Sequence, residues 1–98
     1  MARRSRDLIV AEILEICMEG ALKTHIIYKA NLNFQKASKY LEQMEEQGLL
    51  SHIYKDSKML YMTTEKGRDL YYMLKKVQNK MWNAHHILVG DKSNNMII

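Results

Sequence analysis

Apolar positions recur at helical spacing near the start of the chain, where Leu8, Ile9, Ile13, Ile16 and Cys17 fall on one face. Ser5 precedes them as a candidate N-cap, and Gly20 is suited to the left-handed position that closes a helix. Thr24 is placed to cap a short second helix running to Ala30, with Ile26, Ile27 and Ala30 turned inward. Asn31 and Asn33 then break the pattern, because asparagine tolerates turn conformations and its side chain competes for backbone hydrogen bonds. A turn joins two helices here. Asn33 is the expected cap of the third helix, in which Phe34, Ala37, Leu41 and Met44 are expected to face the core and Gly48 to supply the stop. From Leu49 the pattern shortens. "LLSHIY" and "MLYMT" are β-branched or aromatic segments around "KDSK", a polar turn of hairpin length. Thr63 or Thr64 should cap a last helix that opens "TEKGRDLYYMLKKVQNKMW" and runs to about His86 or Val89, ahead of Gly90 and "DKSNN".

Three helices, a hairpin and a long last helix predict a mainly α chain with a small β-hairpin, in the order of a winged helix-turn-helix. The expected division is a DNA-binding domain over 1–65, a dimerisation helix over 66–89 and a tail over 90–98. At 98 residues there is room for one small core, and no proline, repeat or linker marks a second domain. The longest apolar runs are interrupted by carboxylates and fall short of a membrane span. "MARRSRDLIVAEIL" begins like a signal peptide, but Glu12 and Glu15 interrupt its apolar part and no small-residue cleavage site follows. The expectation is a protein without membrane partners that stays in the cytoplasm, with Cys17 buried and reduced. No glycine-rich phosphate loop is present, and His85 and His86 sit about 100° apart on a helix, unable to clamp one ion. Neither an enzyme nor a cofactor is expected.

Charge changes the picture in the third helix. Its front is polar and basic and its back is acidic, the reverse of what the backbone dipole favours. Residues 42–50 carry three carboxylates and no base, while Arg3, Arg4, Arg6, Lys36, Lys39, Lys55 and Lys58 lie elsewhere on a chain of formal net charge +4. In helix-turn-helix proteins the second helix of the motif enters the major groove by its N-terminal end, where a carboxylate would be repelled by phosphates. Gln35 is suited to adenine, Lys36 or Lys39 to guanine or phosphate, and Ser38 to base or backbone. Lys55 and Lys58 flank the hairpin turn as a basic wing, and "ARRSR" carries three guanidiniums as an arm for the DNA backbone.

Leu70, Leu74, Val77, Met81, Ala84 and Leu88 are spaced 4, 3, 4, 3 and 4 residues apart, as in a coiled-coil seam. A homodimer through the last helix is expected, with the part around Leu70 and Tyr71 packed on its own domain.

"KTHIIYKANLNF" followed by "YLEQMEEQGLL" and "TTEKGRDL" resembles the archaeal small winged-helix family that includes the coiled-coil-dimerising chromatin proteins. The likeness runs from Arg3 to about Ala84. It implies a homodimer, joined in the chromatin proteins by an antiparallel coiled coil, that binds double-stranded DNA as an architectural protein or transcription regulator and associates with the nucleoid. It further implies that Lys23, Thr24, Tyr28, Lys29, Asn31 and Asn33 frame the recognition helix. Three functions follow as expectations: a sequence-reading regulator, an architectural protein with little base preference, or a protein-interaction module.

Overall fold

The computed structural model describes residues 4–88, with side chains described to residue 77. Helix α1 spans Arg6–Ile16, α2 Lys23–Ala30 and α3 Phe34–Glu46; strands β1 (Leu50–Lys55) and β2 (Lys58–Thr63) follow, then helix α4 (Glu65–Leu88). Ser5 caps α1 as expected, its hydroxyl accepting from the Leu8 N–H at 3.1 Å. The helix ends before Gly20, with Cys17 as C-cap, because the chain turns there to lay Ala21 against Tyr61. Two backbone hydrogen bonds of 2.8 and 3.0 Å make that one-residue bridge. It ties the start of the helix-turn-helix to the hairpin.

Helix α2 corrects one expectation. Leu22, extended at φ −75° and ψ 152°, is its N-cap and lends no side chain, while Thr24 lies exposed inside the first turn. The reason is the Leu22 carbonyl, which accepts from Ile26 N–H at 3.0 Å and so begins the helix ahead of Thr24. Asn31 ends α2 in the left-handed conformation at φ 55°, and Leu32 is buried in the turn. Asn33 then caps α3, its side-chain oxygen accepting from the Lys36 N–H at 2.7 Å.

The core lies among α1, α2, α3 and the base of the hairpin. Ile13, Leu14, Cys17, Ile26 and Leu41 are its largest fully buried side chains. Burial pushes the Cys17 thiol up to about 12, so it stays protonated and behaves as a small apolar side chain. Ala37, Leu41 and Met44 fill the inner face of α3, as their spacing predicts. Phe34 does not join them. It is 65% exposed, because the first residue of α3 overhangs the end of the core.

Gly48, at φ 77°, turns the chain out of α3 into the hairpin. Strands β1 and β2 pair antiparallel from Leu50↔Thr63 to Lys55↔Lys58. The two turn residues, Asp56 and Ser57, have φ values of 53° and 65°, the signature of a type I′ turn whose twist matches the strands. Thr63 and Thr64 divide the work at the start of α4. The buried Thr63 hydroxyl donates to the Leu14 carbonyl at 2.7 Å, while Thr64 accepts from the Gly67 N–H at 3.0 Å and donates to the Gly48 carbonyl at 2.6 Å. A Cβ at Gly67 would stand 2.2 Å from the Leu49 carbonyl oxygen, so only glycine lets α4 press this closely on the base of the hairpin.

Candidate nucleic-acid interface

The front of α3 is bare of acid and largely open. Asn33, Gln35, Lys36 and Lys39 are exposed, and with Phe34, Ser38 and Glu42 they line one shallow surface. The first carboxylate on the helix is Glu42, about 12 Å along the axis from Phe34 at about 1.5 Å per residue. The positive end of the helix dipole adds to the lysines. Ser38 is the exception. It is half-buried, and its hydroxyl oxygen has no hydrogen-bond partner among the described residues. The turn of the helix places it beside buried Ala37, toward the inner face.

The acidic back of α3 has a structural use. The Glu45 carboxylate lies 2.5 Å from Nδ1 of His52, pinning the end of the helix to strand β1. His52 in turn stands edge-on to Tyr54 and Tyr61 along the hairpin. Burial first, then the Glu45 carboxylate, pushes the Tyr61 phenol above its usual range. Helix and wing are thereby held as one face.

The basic arm differs from expectation where it is described. Arg4 pairs with the Glu12 carboxylate and donates to the Asn31 carbonyl at 3.2 Å; Arg6 donates to Gln43 Oε1 at 2.9 Å and covers the Tyr40 ring at 5.4 Å. These two guanidiniums are thus folded onto α1 and α3 and do not form a free arm. Arg4 nevertheless borders a cleft with Asn31, Asn33 and Lys36, beside the front of α3. Arg3 lies outside the described residues. Thr24 is exposed near the start of α2, and the Lys23 ammonium sits 4.1 Å from the centre of the Phe34 ring. Lys55 and Lys58 are exposed and face each other across the wing turn. Like charges opposite one another in a ladder repel, and an anion between them would relieve this.

Phe34 is the residue of this surface that helical spacing assigned elsewhere. The available signal was position: it follows the capping asparagine directly, and the first residue of a helix extends past what the next turn covers.

Helix α4 divides its apolar residues. Leu70, Tyr71 and Leu74 pack on the chain's own core, so the expected seam is partly consumed within the domain. Tyr72, Met73 and Val77 are exposed. The side chains of Met81, Ala84 and Leu88, and the tail over 90–98, lie outside the described residues. Among the described residues no helix is long and apolar enough to cross a membrane, and no group of three or more His, Cys, Asp or Glu is placed to hold a metal ion.

Helices α1 to α3, the antiparallel wing and the Ala21 bridge together define the winged helix-turn-helix class. The family's sequence pattern matches residues 3–82, and the chain belongs to the winged helix-turn-helix family. The protein MJ0287 of Methanocaldococcus jannaschii is 37% identical over 73 residues, covering 74% of this chain and 71% of its own. The structure of Sso10a-2, a DNA-binding protein from Sulfolobus solfataricus, superposes with a TM-score of 0.73 at 28% identity, over 88% of this chain and 94% of that one. The transcriptional regulator BldR from the same organism shares the fold, with a TM-score of 0.75 at 15% identity over 90% and 66% of the two chains.

Proposed function

We propose that the chain is a homodimeric transcription regulator that inserts the front of α3 into the major groove of double-stranded DNA. The observation that carries this is the acid-free, exposed front of α3, with Gln35, Lys36 and Lys39 outward and the carboxylates held at its back. Gln35 is suited to pair with adenine, and Lys36 and Lys39 to guanine or phosphate. Lys23, Thr24 and Asn33 border the groove edge, and Lys55 and Lys58 reach phosphates from the wing. Dimerisation uses the outward face of α4 from Met73 on, with Met73 and Val77 as its described apolar residues. On this reading residues 1–65 plus the first turns of α4 form the DNA-binding unit and the remainder of α4 joins two copies. Such a regulator works on chromosomal DNA in the cytoplasm and has no catalytic role.

An architectural role needs many free cations to hold phosphates without sequence preference. Here Arg4 and Arg6 are engaged within the chain, and the formal net charge is only +4. The regulator reading is therefore preferred. Titrating the protein across salt against its own upstream DNA and a random duplex, with its mass followed in the same sample, tests it. A dimer that holds the upstream fragment at salt concentrations that release the random one is expected. Equal affinities with an equally steep salt dependence would establish the architectural role instead, and binding to neither would leave a protein-interaction module.

A further inference from the structure

Phe34 is the only large apolar side chain exposed on α3, and it stands at the end of the helix that leads. The core does not require it, since Ala37, Leu41 and Met44 cover the inner face. Its neighbours Asn33, Gln35 and Lys36 are polar or basic, which makes a poor seat for an apolar protein partner. The ring nonetheless has a partner. The Lys23 ammonium lies over the ring at 4.1 Å from its centre, and Phe34 stays 65% exposed. A cation over one face biases where the ring sits before it meets a ligand.

The major groove displays one apolar feature to a ring in this position, the 5-methyl group of thymine. We infer that Phe34, steadied by Lys23, recognises the 5-methyl group of a pyrimidine in the major groove and so makes the chain favour thymine. This rests on the proposed insertion of α3, and it adds to the polar contacts of Gln35 and Lys36 a contact that those side chains cannot make.

Thymine and uracil differ in duplex DNA by that methyl group alone. The test measures binding of the full chain, and of Phe34→Ala, to duplexes of alternating adenine and thymine and to the same duplexes with deoxyuridine. A second pair compares alternating guanine and cytosine with and without 5-methylcytosine. The wild type is expected to bind each methylated duplex about fourfold tighter per methyl group covered, from the usual free energy of burying one such group. Phe34→Ala should bring both ratios close to one while still binding in a salt-dependent way, and Phe34→Leu should keep part of the preference. If the wild type binds both members of each pair equally, the methyl contact is refuted and the DNA-binding reading stands. Equal preference in wild type and Phe34→Ala would assign the methyl contact to another group and refute the role of Phe34. Absence of wild-type binding to all four duplexes would overturn the DNA-binding reading and the inference with it.

Discussion

Asn33 caps α3 and, on the proposed function, faces DNA, and a substitution can separate the two roles. Its side-chain oxygen satisfies the Lys36 N–H, a role that aspartate fills equally well, with an added favourable charge at the positive end of the helix. Asn33→Asp should therefore leave stability to urea unchanged or raise it by up to about 1 kcal/mol. The same carboxylate would face the phosphates of an inserted duplex. DNA affinity should fall, and unchanged affinity would place Asn33 away from DNA. At this scale the sequence was legible wherever a side chain acts on its own backbone: Ser5 and Asn33 cap as their residue types suggest. It was less so where neighbours decide. Helical spacing put Phe34 in the core because periodicity carries no information on which end of a helix overhangs, and the half-burial of Ser38 depends on how α3 seats. Arg4 looked free because Glu12 and Asn31 approach it only in the folded chain.

The elements themselves were largely readable, since each is bounded by a residue with a strong local preference. Gly48 and Asn31 take positive φ, and a two-residue turn fixes the hairpin register. The Ala21 bridge to Tyr61 had no such signal, because a single paired residue leaves no alternation to detect. Within "TEKG" the threonine was read as a cap, and the glycine shows its purpose only in the packing of α4. Gly67→Ala forces Cβ onto the Leu49 carbonyl and against Leu14 and Thr63, none of which can move without opening the core. Overpacking of this kind should cost about 1–3 kcal/mol, read as a lower denaturation midpoint. A variant as stable as wild type would mean that α4 sits farther from the hairpin. Because Gly67 is remote from the front of α3, a folded fraction of this variant should keep its DNA affinity.

Across the whole molecule, one arrangement of charge connects fold to function. Carboxylates are gathered where Glu45 can hold the wing through His52, and the leading end of α3 is kept basic against the preference of its own dipole. The fold places that end and the wing lysines on the outside, and α4 begins against α1 and continues with Met73 and Val77 unburied. The spacing of Leu70 and Leu74 does not by itself mark a dimer seam, because it serves packing on the chain's own core as well as it would serve a partner helix. On the proposed function, the basic front of α3 exists for DNA and costs the helix stability. Replacing both Lys36 and Lys39 by glutamate tests it most directly, with DNA binding, mass and thermal unfolding measured together. The double variant should keep the mass of the wild type and unfold at the same or a higher temperature, while losing DNA binding at every salt concentration where the wild type binds. A variant that binds DNA as tightly as the wild type, with the same salt dependence, would contradict the account.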